Sequence, residues 1–282
     1  MFRSIRLVVS RLQAQLAIIF AISVYERSRT ASDSPIGGFQ ALFDPLQMLI
    51  MMLTMRIGLK VLMGRGNALA PSIGTVSADL FFDPITFLAT GISIVFLFRS
   101  VALKSINGLK LKAPLFYSRI KPLDILLASA LNDVRATATL SVFVLVMSWF
   151  FTWSFRFDRP GLAISAYLLT VVMAIGFGIC ILFVGQVLPF LKKIVKRLLQ
   201  RIILWTSGIF FATFEIPAEA RPFIAWNPIL HGVELFRYSI NDSYPIPGIS
   251  FQYLLTCSLM CASFALILYR VNESMLLISS DD

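Results

Sequence analysis

Long apolar segments alternate with short polar stretches along most of this sequence. A helix needs about 20 mostly apolar residues to cross the hydrocarbon core of a bilayer. Segments of this order, the fifth being the shortest, occupy residues 43–63, 84–103, 128–153, 162–188, 198–214 and 251–269. The pattern predicts an all-α integral membrane protein with six transmembrane helices.

The first residues follow an amphipathic pattern instead. On a helix, one face collects the apolar residues Ile5, Val8, Val9, Leu12, Leu16, Ile19 and Phe20. Arg3, Arg6 and Gln13 lie away from that face. We therefore expect an N-terminal amphipathic helix at 5–20 that lies in the plane of the membrane interface. A signal peptide is the alternative, but Gln13 and Gln15 interrupt its apolar run and no A-x-A-like cleavage site follows.

The basic residues are grouped in a way that predicts orientation, because cytoplasmic loops carry an excess of Lys and Arg. The N-terminal stretch and the loops after spans two and four each hold five: Arg3, Arg6, Arg11, Arg27, Arg29; Lys104, Lys110, Lys112, Arg119, Lys121; and Lys192, Lys193, Lys196, Arg197, Arg201. The alternate loops hold only Arg65, then Arg156 and Arg159, then Arg221 and Arg237. Both termini are therefore predicted to be cytoplasmic, which requires an even number of spans.

We expect one membrane domain, with a cytoplasmic amphipathic segment at 1–42, a six-helix membrane region at 43–270 and a cytoplasmic tail at 271–282. Between spans five and six the chain is too broken for a simple loop, since Pro217, Pro222 and Pro228 interrupt short apolar pieces. Such backbone is tolerated at membrane depth only where protein or a water-filled cavity surrounds it. A re-entrant or gate-helix segment between helices 5 and 6 is therefore predicted, beside a cavity near the outer end of span five.

Four short motifs lie at or near the boundaries of these segments. They are SPIGGFQALFDP at 34–45, PITFLATG at 84–91 followed by Phe98 and Arg99, IKPLD at 120–124, and SGIFF at 207–211 followed by Pro217 and NPILHGVELFR at 227–237. No single motif is specific, but their order and spacing extend over nearly the whole chain. In these features the chain resembles the ABC-2 type permeases of capsular polysaccharide and O-antigen exporters, the membrane subunits of ATP-binding-cassette transporters.

The resemblance implies a homodimer of this subunit that works with two copies of a separate ATPase and exports a lipid-linked glycan across the bacterial inner membrane. In agreement, the sequence contains no G-x-x-x-x-G-K-[ST] phosphate loop. We expect a permease that has no catalytic residue, metal or cofactor of its own. Its expected partners are the ATPase, a second copy of itself, the polysaccharide and membrane lipid, but not nucleic acid.

The resemblance also assigns regions. In the family, the amphipathic helix and the loop between spans two and three contact the ATPase, which gives the contact candidates Arg6, Arg11, Lys110, Lys112, Arg119 and Lys121. Spans one and five line the channel, and they match 43–63 and 198–214 here. The outer gate candidates that follow span five are Pro217, Trp226, Asn227, Pro228, Glu234 and Arg237.

Span one departs from the neutral character of the family at Arg56 and Lys60. A cation deep in a span costs about 2.5 to 3.5 kcal/mol even on the mildest scales. One hypothesis is that both residues line the channel and face an anionic glycan. The other is that Lys60 extends to the outer interface while Arg56 pairs with a carboxylate, for which Asp44 and Asp133 are available.

Span five supplies aromatic channel candidates, namely Trp205, Phe210 and Phe211. Sugar rings stack on aromatic faces without requiring charge, although packing against lipid or a second subunit is an equal alternative. Farther along, Glu234 and Arg237 are three residues apart in a helical pattern, which favours local ion pairing or helix capping. His231 is the only histidine, which argues against a His-based metal cluster and a catalytic role.

The composition restricts the classes of protein to which the chain can belong. The 282 residues are 57% hydrophobic and 14% charged, which leaves no soluble catalytic domain. The net charge of +10 comes from the basic blocks between spans and indicates orientation and not nucleic-acid binding. The acidic residues are few and scattered, which argues against a membrane-embedded glycan-modifying enzyme. A permease of the same type for teichoic acid, a lipid or a drug is the other alternative.

Overall fold

α-Helices account for nearly all of the regular structure. The computed structural model describes residues 13–26, 28, 50, 54, 78, 81–108, 120–152 and 156–278, and these residues contain no β-strand. The helices are α1 (Gln13–Glu26), α2 (Pro84–Asn107), α3 (Pro122–Thr152), α4 (Pro160–Val187), α5 (Pro189–Thr206), α6 (Arg221–Ala225), α7 (Pro228–Ile240) and α8 (Phe251–Ile278), with a 3₁₀ helix at Thr213–Glu215. The all-α class predicted from the sequence is confirmed for this part of the chain.

Proline begins most of the long helices. It is the first residue of α2, α3, α4, α5 and α7. The first turn of a helix leaves its N–H groups without intrahelical partners, so a residue that lacks an N–H loses nothing there, and its fixed φ suits the helix. The prolines that would break a helix interior therefore define where these helices start.

Four helices are long and apolar enough to cross a bilayer, namely α2, α3, α4 and α8. They correspond to the spans predicted at 84–103, 128–153, 162–188 and 251–269, although α3 begins earlier than predicted. α8 continues beyond the predicted end, with a local break at Asn272, where φ is −121° and ψ is 22°. Of the span predicted at 43–63, the structure describes only residues 50 and 54.

The predicted bounds of span five, 198–214, are wrong. α5 begins at Pro189 and ends at Thr206, and the backbone then leaves the helix at Gly208, where φ is 76°. The basic residues that suggested a loop, at 192–201, lie within this amphipathic helix, and only Leu188 separates it from α4. α5 is not among the four helices with span-like length and composition.

α2 is the centre of the packing and contacts α3, α4 and α7. Its polar residues are used between helices, since the Thr86 and Ser148 hydroxyls hydrogen-bond at 2.7 Å across α2 and α3. α4 packs against α8 on its other side, and a Cβ at Gly176 would lie 2.6 Å from the carbonyl carbon of Cys261. Only glycine permits this backbone approach, which brings the two helices into close contact.

α3 and α8 carry large apolar side chains on their outer faces. The exposed residues include Val142, Val146, Phe150, Leu259, Phe264 and Ile267. A surface of this extent is unfavourable in water and is suited to lipid or to another apolar surface. It agrees with the membrane location predicted from composition.

A polar network attaches α1 to the ends of α2 and α3. The Gln15 amide donates to both carboxylate oxygens of Asp124 at 2.8 Å, and the Asn132 amide donates to Glu26 at 3.1 Å. Lys104 pairs with Glu26 at 3.3 Å and reaches Asp133 at 3.8 Å. α1, which contains the described part of the predicted amphipathic segment, therefore has a fixed position on the bundle.

Candidate functional site

The site is the irregular segment 207–227 together with α7, to which it leads. α7 is 13 residues long, and all of it except Pro228 and Tyr238 is buried. It packs against α2 and α4, and a Cβ at Gly232 would lie 3.0 Å from the Thr170 hydroxyl of α4. A short helix thus occupies the interior between two long apolar helices.

Arg237 is the central side chain of this site and is fully buried. Its guanidinium carbon lies 3.5 Å from the centre of the Phe87 ring. Its nitrogens donate to Gly208 O at 2.8 Å, Glu234 Oε1 at 2.9 Å, Phe87 O at 3.1 Å, Ile209 O at 3.3 Å, Phe211 O at 3.4 Å and Thr90 Oγ1 at 3.4 Å. A guanidinium has five N–H donors, so its donor capacity is used up. One α7 side chain therefore joins α2, α7 and the backbone that follows α5.

Glu234 carries the negative charge that balances the guanidinium of Arg237. Its Oε1 accepts from Arg237 and from the Tyr244 hydroxyl at 3.2 Å, while its Oε2 accepts from the Thr213 hydroxyl at 3.0 Å. The local ion pair predicted from the spacing of Glu234 and Arg237 is confirmed. A buried ion pair is tolerated when additional hydrogen bonds satisfy both partners, and both partners have them here.

Two glycines make room for this arrangement. Gly208 adopts a positive φ of 76°, and a Cβ there would lie 2.4 Å from a methyl carbon of Leu230. On α2, a Cβ at Gly91 would lie 3.0 Å from Nη2 of Arg237 and 3.1 Å from the Cα of Ile209. The close approach of the 207–212 backbone to α2 and α7 therefore depends on glycine at both positions.

Asn227 forms a second connection between α5 and α7. Its side-chain oxygen accepts from the Ile229 N–H at 3.0 Å and caps α7. Its amide donates to the Thr206 carbonyl, the last residue of α5, at 3.1 Å. The end of one helix and the start of the next are thus held by one side chain.

His231 has a structural environment. Its Nδ1 accepts from the Ser250 N–H at 3.0 Å, and its Nε2 is 2.7 Å from the Ala225 carbonyl, which requires the proton on Nε2. Within the described residues no group of three or more His, Cys, Asp or Glu side chains could hold a metal ion. Its two backbone contacts place His231 among the residues that connect α6, α7 and α8.

An aromatic surface lies next to this buried core. The rings of Trp205 and Phe210 stack with centroids 5.1 Å apart at 29°, and Trp205 is 57% exposed. Phe210 and Phe211 are half-buried, and Phe211 also presents its carbonyl to Arg237. Trp226 is 69% exposed, and its carbonyl accepts from the Tyr253 hydroxyl at 2.7 Å. Stacked and exposed rings of this kind can bind a sugar face.

The other predicted site residues are distributed more widely. Pro217 is exposed on the irregular segment, and Pro228 is the first residue of α7. Lys121 is exposed before α3, and its backbone N–H donates to Asp124 at 3.0 Å. The remaining candidates lie outside the described residues, and they are Arg56, Lys60, Arg6, Arg11, Lys110, Lys112 and Arg119.

Several residues of the site were not identified from the sequence. Thr90, Gly91 and Gly208 belong to the motifs at 84–91 and 207–211, so the motifs held a signal that was not assigned to individual side chains. Thr213 and Tyr244 carry no such signal, because a hydroxyl that meets Glu234 from a distant loop leaves no pattern in sequence. Arg237 was counted with the basic residues between spans five and six, and the structure places it on α7 with a completely buried side chain.

Comparison with known proteins gives relatives of one kind. The chain is 28% identical over 194 residues to the polysialic acid transport protein KpsM of Escherichia coli, covering 68% of this chain and 75% of that protein. It is 24% identical over 201 residues to the capsule polysaccharide export inner-membrane protein BexB of Haemophilus influenzae, covering 69% and 74%. It is 23% identical over 184 residues to the corresponding protein CtrC of Neisseria meningitidis serogroup B, covering 64% and 69%. No family model matches the chain.

These relatives confirm the resemblance that the sequence motifs indicated, namely to the permeases of capsular polysaccharide exporters.

Proposed function

We propose that this chain is the membrane-spanning permease subunit of an ATP-binding-cassette exporter that moves a capsular-type polysaccharide across the bacterial inner membrane. The observation that carries the proposal is the similarity to three capsule-export inner-membrane proteins over about two thirds of the chain. Four apolar helices of membrane-spanning length support it. The names of these relatives favour a polysaccharide over teichoic acid, another lipid or a drug.

In the proposed assembly two copies of the chain bind two copies of a separate ATPase, and the glycan is linked to a lipid. Residues 43–63 and α5 join α2, α3, α4 and α8 to give six spans with both termini in the cytoplasm. α7 is about 20 Å long, because each residue adds about 1.5 Å, whereas the hydrocarbon core is about 30 Å thick. Since α7 is buried and too short to cross, we assign 207–240 to a re-entrant gate segment.

The contacts suggest how movement at the ATPase side reaches this gate. α1 is joined to the ends of α2 and α3 through Gln15, Asp124 and Lys104. At the far end of α5, Asn227 and Arg237 hold the backbone to α7 and α2. A displacement of α5 would therefore move the segment that carries Phe210 and Phe211. In the proposed channel these two rings stack on sugars, while Arg56 and Lys60 face anionic groups.

The test of the proposed function is export together with ATP hydrolysis. We expect deletion of the chain in its host to remove surface polysaccharide and re-expression to restore it. The purified chain alone should hydrolyse no ATP, and the chain co-expressed with its ATPase should purify as an active complex. Normal surface polysaccharide after deletion, or ATP hydrolysis by the contaminant-free chain, would contradict the proposal.

Topology is tested separately with reporters fused after residue 282 and within 64–83. The basic blocks predict that the first reporter is cytoplasmic and the second is periplasmic. A single compartment for both reporters would disprove the arrangement of spans without affecting the export assay.

Arg56 and Lys60 are tested with single and double Gln variants, scored for export and for the amount of inserted complex. If they line the channel, export falls while complex yield stays constant, because no buried partner is left unpaired. If Arg56 is paired inside the bundle, the yield falls instead. Unchanged export at unchanged protein level in the double variant would exclude a channel role for both residues.

A further inference from the structure

α5 differs from every long apolar helix of the structure in the charge on its surface. Lys193, Arg197 and Arg201 are spaced four residues apart, so they form one strip along the helix, which we name the basic strip. All three are exposed. Lys192 and Lys196 lie on the flank of the strip and are half-buried.

No salt bridge with a carboxylate of the described residues compensates the positive charge of the basic strip. The sequence contains no Asp or Glu between Asp158 and Glu215. Within the part of the chain that the structure describes, the salt bridges are those of Lys104, Arg159 and Arg237. Exposed cations that have no carboxylate partner among these residues are available to bind an external anion.

A second strip runs beside the first. Leu191, Leu198, Ile202 and Trp205 are exposed large apolar residues of α5, and we name them the apolar strip. Arg201 follows Leu198 by three residues and precedes Trp205 by four, so the two strips adjoin on the helix surface. The opposite face of α5 holds the helix in place, because Leu199 is buried and Val195 and Ile203 pack against the main core.

We infer that this surface of α5 binds an anionic phospholipid, with its phosphate on the basic strip and its acyl chains along the apolar strip. A phospholipid carries an anion and hydrocarbon in one molecule, which matches two adjoining strips of these chemistries. A soluble polyanion such as a charged glycan would satisfy the cations but leave Leu198 and Ile202 in water. The inference adds a lipid site to the proposed transport role, and binding is measured without transport.

Trp205 provides a reporter within the site. In a full-chain variant with Trp149, Trp153 and Trp226 changed to Phe, brominated lipids quench only the fluorescence of Trp205. Reconstitution in vesicles of mixed phosphatidylcholine and phosphatidylglycerol, with either lipid brominated, gives their relative association constants at Trp205. We expect phosphatidylglycerol to be favoured, and Arg197→Gln with Arg201→Gln to lower the preference by about tenfold or more, since each cation near an anionic surface contributes about fivefold.

The matched control changes two other exposed arginines, Arg135→Gln with Arg270→Gln, which removes the same charge from α3 and α8. An equal loss of preference in this control would overturn the site, because it would reflect net charge alone. An unchanged preference in the α5 variant would also overturn it.

Two further outcomes assign the surface to another occupant and so reject the inference. Absence of quenching by either brominated lipid means that a second copy or another segment covers Trp205. Displacement of brominated phosphatidylglycerol by a soluble anionic polysaccharide means that α5 faces a glycan path.

If the Trp variants do not fold, the same comparison is made on the otherwise unaltered chain. Its thermal midpoint should rise more with added phosphatidylglycerol than with phosphatidylcholine, and only the α5 pair of substitutions should remove that difference.

Discussion

Arg237 on α7 and the arginines of the basic strip on α5 present the same chemical group in opposite settings. The guanidinium of Arg237 is completely buried, and its donors are bound to carbonyl and carboxylate oxygens of the chain. Arg197 and Arg201 are exposed and have no described carboxylate partner. Arg237 therefore stabilises the fold, whereas Arg197 and Arg201 remain available to bind a group outside the chain.

The comparison shows what a positive charge costs in each place. Removing a buried partner strands the opposite charge and the carbonyl groups that depended on it. Removing an exposed charge strands nothing, because water or lipid headgroups solvate the site in either case. Stability measurements should therefore separate the two classes of arginine.

Arg237→Met should have the largest effect. It leaves Glu234 without its cation and the carbonyls of Gly208 and Phe87 without a donor, at a cost of about 3 to 5 kcal/mol. We expect little inserted protein and a greatly lowered thermal midpoint in detergent. Arg159→Met is the matched control, because Arg159 pairs with Asp242 on a half-exposed surface, where such a bridge contributes about 1 kcal/mol or less.

The double variant Glu234→Gln with Arg237→Met distinguishes two roles of Arg237. If Arg237 only neutralises Glu234, removing both charges restores most of the stability. We expect partial recovery at most, since the backbone carbonyls after α5 still lack their donor. Full recovery of the thermal midpoint would show that the carbonyl contacts contribute little.

Gly208→Ala should have the next largest effect. Alanine at a positive φ costs about 1 to 2 kcal/mol, and the added Cβ also overlaps Leu230, which brings the total to about 2 to 4 kcal/mol. Gly248→Ala is a closely matched control, because Gly248 has φ 77° and nothing within 4 Å of its Cβ position. The difference between the two midpoints isolates the crowding around the site. Equal losses would mean that backbone conformation alone determines the effect.

The apolar spans were predictable because a bilayer imposes a length and a composition that are read directly from sequence. The limits of α5 could not be predicted, because amphipathic helices and basic loops have similar composition. Only the contacts of Val195 and Leu199 with the core show that this segment is a helix. The Glu234–Arg237 pair was predictable from its spacing. Its partners Thr90, Thr213 and Tyr244 were not, since they come from three separate elements and meet only through packing.

Asn227 allows a smaller and more specific test. Asn227→Ala removes both the cap of α7 and the amide contact with Thr206, at a cost of about 0.5 to 2 kcal/mol. Asn227→Asp keeps a capping oxygen but loses the amide donor. If the connection to α5 matters, Asp should lower the thermal midpoint measurably while preserving part of the stability lost in Ala. If the Asp variant has the wild-type thermal midpoint, Asn227 contributes to stability only by capping α7.

The smallest effect is expected where the charge is most obvious in the sequence. Changing Lys193, Arg197 and Arg201 together to Gln should alter the free energy of unfolding by no more than about 0.5 kcal/mol per residue, because the side chains are exposed and leave no partner behind. Removing three like charges from one helix face also relieves repulsion between neighbours four residues apart. The measurement is thermal unfolding in neutral detergent, where no anionic lipid contributes. A loss comparable to that of Arg237→Met would show that these cations have internal partners, and the distinction between the two arginine classes would then fail.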